Sequence, residues 1–157
     1  MSFEGRELRN ALGRFATGVC LITTVTEEGV PMALTANSFS SVSLDPPLVL
    51  WNLQDSSDVY DIFATPKHFA INVLALEQQD LSNQYAKKGQ HEIEAAHFDA
   101  GKFGAPIIKN ALVAFECELE ATHPGGDHLI IVGRILDMQE RAGEPLLFYA
   151  GGYRELG

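Results

Sequence analysis

Hydrophobic positions along this chain change period several times, and each change predicts an element. Leu8, Leu12 and Phe15 fall at helical spacing, which predicts an amphipathic N-terminal helix ending near Thr17-Gly18. Val19 to Val25 is apolar and β-branched, Glu27-Glu28-Gly29 has turn chemistry, and a second strand pattern runs from Val30 to Ala36, so a hairpin is predicted. The stretch TANSFSSVSLDPPLVLW follows over residues 35–51. Thr35, Ser38, Ser40, Ser41 and Ser43 place hydroxyls, and Asn37 an amide, where a small domain ordinarily sets bulky apolar groups. Pro46-Pro47 interrupts the polar run, and Leu48 to Trp51 reads as a buried strand.

Ser56-Ser57 precedes a short helix predicted over Asp58 to Ala64, which Pro66 stops. Phe69 to Leu74 predicts another buried strand and Glu77 to Lys87 a helix. Residues 88–110 hold no sustained period, which predicts an irregular lid or interface loop with His91 and His97 solvated. From Val113 to Ala121 the alternation is strict: Val113, Phe115, Cys117, Leu119 and Ala121 form the core face, and Glu116, Glu118 and Glu120 the wet face. Pro124 to Asp127 turns the chain into a strand over His128 to Leu136, and Gly143-Glu144-Pro145 turns it again into Leu146 to Tyr149. The sum is a mainly β, mostly antiparallel fold with flanking helices. Strands and helices do not alternate as βαβ units, so a small closed barrel with helices at its ends is expected.

Composition narrows the partners. A chain of 157 residues with 46% hydrophobic and 20% charged residues suits one globular domain over residues 1–157. The net charge of −10 argues against nucleic acid and anionic membranes, which repel an acidic surface. No apolar run approaches the ~18 residues of a membrane span. Glu4, Arg6, Glu7, Arg9 and Arg14 break any apolar signal core, so a soluble cytoplasmic protein is expected. Cys20 and Cys117 sit in apolar strand patterns and read as buried free thiols.

Familiar catalytic fingerprints are absent. The chain lacks the phosphate loop, the G-x-G-x-x-G dinucleotide turn, the G-x-S-x-G elbow and paired zinc cysteines. His123 and His128 flank Asp127 without a recognised ligand spacing, and no metal is expected. Such a profile suits a protein whose chemistry resides in an organic cofactor such as flavin. Small residues let backbone approach a flat ring, while Asn37 and Ser38 can meet its polar edge. Ser56-Ser57 offers hydroxyls for a ligand phosphate or simply caps a helix; Asp55 and Asp58 oppose an anion there unless Lys87 or Lys88 offsets them.

TANSFSSVSLDPPLVL resembles the signature of the short-chain flavin reductases, which have the FMN-binding split β-barrel fold. LRNALGRFATGVCLITT, FAINVLALEQQDLSNQYA, GGDHLIIVGRIL and PLLFYAGGYREL resemble further segments of that family, in the same order along nearly the whole chain. The resemblance implies an NAD(P)H:flavin oxidoreductase, in which NADH or NADPH passes a hydride to FMN or FAD. It also implies a homodimer that supplies reduced flavin to a separate monooxygenase. By position, Thr35, Ala36, Asn37 and Ser38 would line the isoalloxazine and ribityl chain, with Ser41, Val42 and Ser43 continuing that wall. Ser56 and Ser57 would hold the phosphate, and Asn72 and Val73 would stand beside the flavin; the alternative for Asn72 is to satisfy backbone across a barrel. His128 would contact the nicotinamide, or only pin its hairpin through Asp127; Tyr153 and Arg154 would close the site or serve as dimer packing and a solvated charge. The family often has Gly-Met where this chain has Ala33-Leu34, a change that bears on FMN-versus-FAD preference.

The resemblance also implies an open ring face, because a hydride donor must come within roughly 3–3.5 Å of its acceptor. A flavin-binding electron carrier or redox sensor without nicotinamide turnover is the alternative on the same fold. An oxidase of a phosphorylated small molecule is a third, opposed by the scarcity of arginines for its substrate.

Overall fold

The structure, a computed structural model, describes residues 2–157. In chain order the elements are α1 (Gly5–Leu12), β1 (Thr17–Gly18), β2 (Cys20–Val25), β3 (Pro31–Ala36), β4 (Ser40–Leu44), β5 (Pro47–Gln54), α2 (Tyr60–Ala64), β6 (His68–Val73) and α3 (Gln79–Tyr85). They continue with β7 (Phe98–Ala100), β8 (Pro106–Ile108), β9 (Val113–Gly125), β10 (His128–Glu140), β11 (Leu147–Tyr149) and β12 (Gly152–Arg154). The main sheet has seven strands in the order β3-β2-β6-β9-β10-β5-β4, and every neighbouring pair is antiparallel.

Side chains from across the sheet meet in one cluster: Cys20 and Ile22 (β2), Val49, Trp51 and Leu53 (β5), Phe69 and Ile71 (β6), Cys117 (β9) and Ile131 (β10). Met32, Leu34 and Ala36 of the edge strand β3 pack against the same cluster, so the sheet curls round it. Its edge strands, β3 and β4, are not paired with each other, and this is the split of a split barrel. Where β10 crosses β9 a register shift falls between Val132 and Gly133, and a Cβ on Gly133 would lie 2.7 Å from Phe69 Cζ. Glycine is needed there because the barrel wall leaves no room for a side chain.

β2 is buried on both faces, as its continuous apolar run predicts. Its second face lies under Leu74, Tyr85, Ile93, Ile108 and Leu146 in a separate cluster. Residues 88–110 therefore are not a loose lid. They carry a 3-10 turn at Ala95–His97 and the β7–β8 hairpin, and Ile93, Ile107 and Ile108 are buried. Each apolar residue fills a gap between distant elements, which is why no local period marks them.

Two more expectations change. Helix α1 ends at Leu12, and Thr17-Gly18 pairs instead with Phe148 and Leu147. None of its residues is buried; Leu12 is 67% exposed and Phe15, just beyond the helix, 79%, so the apolar stripe has no partner among the described residues. Glu116, assigned to the wet face of β9, is 1% exposed. The turn joining β7 to β8 covers it, with Phe103 N–H donating to Oε1 at 3.2 Å. Cys20 and Cys117 are free and buried, and burial pushes both thiols up to about 12. No described helix is long and apolar enough to cross a membrane.

Candidate functional site

The end of β3, the later half of β5, the turn after it and the start of β10 enclose a cleft of about 460 Å³. Thr35, Ala36, Asn37 and Ser38 form one wall, Trp51 and Asn52 another, and Ser56, Ser57, Asp58, Lys88, His91 and His128 are among the remaining lining residues. The wall is held locally. Ser38 Oγ accepts from Asn52 N–H at 2.9 Å and approaches Asn52 O at 3.4 Å, which ties the β3–β4 connection to β5 across the split. A larger side chain at 38 would occupy the cleft and lose that tie. Thr35 Oγ1 donates to the Ser82 carbonyl at 2.7 Å, anchoring the wall to α3.

Asn52 Oδ1 and Trp51 Nε1 are buried and meet no hydrogen-bond partner among the described residues, and both residues line this cleft. An unsatisfied buried acceptor or donor costs roughly 1–3 kcal/mol. The Trp51 indole packs in the barrel core against Phe63, but a ligand with an N–H on its polar edge would relieve the cost at Asn52, and the pyrimidine edge of a flavin has this chemistry. The residues therefore fit the group that the sequence pattern implies.

At the cleft mouth, His128 Nδ1 lies 2.7 Å from Asp127 Oδ1. The hydrogen bond from His128, and then its charge, hold the Asp127 carboxyl below its ordinary range. With Nδ1 engaged, Nε2 is the ring nitrogen left for a ligand. At the other end, Asp58 accepts from Gly89 N–H (2.7 Å) and His91 Nε2 (3.0 Å), while His91 Nδ1 donates to Ala33 O at 2.9 Å. Burial alone would raise the Asp58 carboxyl, but the Gly89 amide and His91 outweigh it and hold it low.

The cleft gathers Thr35, Ala36, Asn37, Ser38, Ser56, Ser57 and His128, but the wall is shorter than the sequence predicts. Ser41, Val42 and Ser43 lie outside it on edge strand β4, where Ser41 and Val42 are exposed. Asn72 is fully buried in the fold: its Nδ2 donates to Leu21 O and Thr23 Oγ1, and its Oδ1 accepts from Ile108 N–H. It satisfies backbone, as one reading expected, but on the adjacent strand β2 and on β8 rather than across the barrel. Val73 packs against the barrel core. Tyr153 hydroxyl bonds Ser82 and Asn83 on α3, and Arg154 is exposed with its guanidinium on the Tyr153 carbonyl; within one chain neither lines the cleft.

Ser57 does not begin a helix either. Its amide donates to Gln54 O, its hydroxyl accepts from Val59 N–H, and α2 starts only at Tyr60. Ala33 turns its side chain into the second core, away from the cleft. His91 is 3% exposed, not solvated. Trp51, Asn52, Gln54, Ala86 and His91 are lining residues that sequence reasoning missed. An amide inside the apolar run of β5 was the available signal for Asn52; nothing local marks His91.

A larger groove of about 620 Å³ lies at the other end of β2, between Thr24 and Phe103, with no unsatisfied buried polar atom in its lining. The 460 Å³ cleft is thus the better candidate. Residues 12–157 match the flavin reductase like domain family. The chain belongs to this family. FMN reductase (NADH) SmoA of Agrobacterium fabrum is 45% identical over 150 residues, covering 96% of this chain and 85% of that protein. The reductase component of the flavin-dependent trigonelline monooxygenase of Acinetobacter baylyi is 38% identical over 94% of this chain, which spans about half (48%) of that protein. The solved structure of the family member flavin reductase PheA2 in its native state superposes with a TM-score of 0.91 at 35% identity, over 99% of each chain.

Proposed function

We propose that this chain is an NADH-dependent flavin reductase acting through the 460 Å³ cleft, in one domain over residues 1–157. The observation that carries the reading is the unsatisfied buried acceptor, Asn52 Oδ1, of a residue lining the cleft of a flavin reductase-like fold. Bound flavin would supply a hydride acceptor, which no side chain here provides. The chain's own residues bind and orient. Asn52 takes the polar edge of the ring, and Ala36, Asn37 and Ser38 present a low wall that admits a flat face. Ser56, Ser57 and Lys88 receive the phosphate. Asp127 fixes the His128 ring, so that Nε2 is offered to the nicotinamide carboxamide.

The similarity to reductases named for NADH and for a monooxygenase supports NADH as donor and a partner oxygenase as consumer of reduced flavin. A homodimer would cover the apolar side chains of α1 and β4, where Leu12, Phe15 and Leu44 are 67%, 79% and 97% exposed. Following NADH absorbance in the presence of FMN or FAD tests the activity. Flavin-dependent loss of absorbance is expected; binding of flavin with no loss under either flavin leaves only the electron-carrier reading.

A further inference from the structure

Asp58 is the only acidic residue lining the cleft among the described residues, and it stands next to Ser57 in sequence. An ionised carboxylate there opposes the anionic group that Ser56, Ser57 and Lys88 would receive. The fold does not leave it free. Asp58 Oδ2 accepts from Gly89 N–H at 2.7 Å and Oδ1 faces His91 Nε2 at 3.0 Å. His91 Nδ1 meets the Ala33 carbonyl at 2.9 Å, so both ring nitrogens face acceptors, and both bonds form only when both nitrogens carry protons. Gly89 adopts φ +79°, the left-handed region, which turns its amide toward Asp58. Beyond it, Ala33 N–H donates to His91 O and Ile93 N–H to Pro31 O, so the segment lies along β3 as extra edge pairing. Lys88, next to this anchor, lines the cleft.

We propose that His91 is a positioning residue for the anionic end of the cleft: its ring neutralises Asp58 and clips the Lys88–His91 segment to β3, so the site accepts a phosphate-bearing flavin. This rests on the flavin reading above. The pair sets how strongly the site distinguishes FMN from riboflavin, which carries the same ring and ribityl chain without the phosphate.

Titrating both ligands by fluorescence quenching, with the thermal midpoint recorded for each variant, tests it. The wild-type protein should bind FMN more tightly than riboflavin. His91→Gln keeps a hydrogen-bonding amide but removes the charge, leaving Asp58 uncompensated. Uncompensated beside the anionic group and partly screened by solvent, that charge should lower the FMN-to-riboflavin affinity ratio about three- to tenfold. Adding Asp58→Asn should return the ratio to the wild-type value or above. If His91→Gln does not fold, Asp58→Asn alone serves: its ratio should equal or exceed wild type, and a fall would overturn the proposal.

A His91→Gln protein that loses affinity for both ligands equally, with the ratio constant, would reduce His91 to a structural role and refute the inference. Equal wild-type affinity for FMN and riboflavin would also refute it while leaving flavin binding intact. Failure of the wild-type protein to bind either ligand would overturn the flavin reading itself, and this inference with it.

Discussion

Replacing Asn52 by leucine should stabilise the free protein and weaken its flavin binding at once. The side chains are nearly equal in size, and the Ser38 tie uses only the main-chain atoms of residue 52, so the split stays bridged. In the free protein Asn52 Oδ1 is a buried acceptor without a partner. Removing such a group recovers part of the roughly 1–3 kcal/mol it costs. Taking about 1 kcal/mol, the thermal midpoint should rise by about 2–4 °C for a domain of this size. The ligand loses the same acceptor, leaving a ring N–H unpaired, so affinity should fall by about tenfold for each 1.4 kcal/mol forfeited. Differential scanning fluorimetry without flavin gives the first quantity and a quenching titration gives the second. A midpoint that drops together with affinity would mean that Asn52 holds the barrel rather than the ligand. An unchanged affinity would mean that the flavin edge lies elsewhere.

Three further measurements bear on the site and the fold. His128→Ala should raise the KM for NADH by about tenfold, the value of one hydrogen bond, while the KM for flavin moves less than twofold; equal effects on both would remove His128 from the nicotinamide site. Cys20 and Cys117 are pushed up to about 12 in the fold against 9.0 ordinarily, so the unfolded chain ionises first. Their contribution is complete below pH 9 and declines as the pH rises toward 12, by about 1.4 kcal/mol per thiol per pH unit, read by urea denaturation against Cys20→Ala/Cys117→Ala. A wild-type stability that does not fall relative to that variant between pH 9 and 10.5 contradicts the burial. Sedimentation should give twice the 17.1 kDa chain mass, and Leu12→Glu/Phe15→Glu should return it to the monomer; a wild-type monomer would leave the exposed stripe without its proposed partner.

Several parts of the fold were legible because they depend on residues close in sequence. The apolar run of β2, the extended conformation of β9 and the turn at Gly126-Asp127 each follow from local spacing and turn chemistry. The ordered segments that resemble flavin reductases lead to the same family that residues 12–157 match. Thr35 to Ser38, Ser56, Ser57 and His128 do converge on one cleft. Less legible was which polar residues face that cleft. Asn72 and Asn52 are both amides inside apolar strands, yet one meets three partners within the fold and the other leaves its oxygen free. Only what packs over each strand face distinguishes them: β8 brings Ile108 N–H to Asn72.

The sequence by itself therefore determined strand periodicity, the antiparallel order of hairpins, the burial of the thiols and the polar run that becomes the cleft wall. Tertiary structure decided what covers each second face: a turn over Glu116, Asp58 clipping both Gly89 and His91, and nothing among the described residues over Leu12 and Phe15. Periodicity reports that an element has two faces, because side-chain direction is local. What lies against a face comes from residues tens of positions away, whose approach depends on closure of the whole barrel.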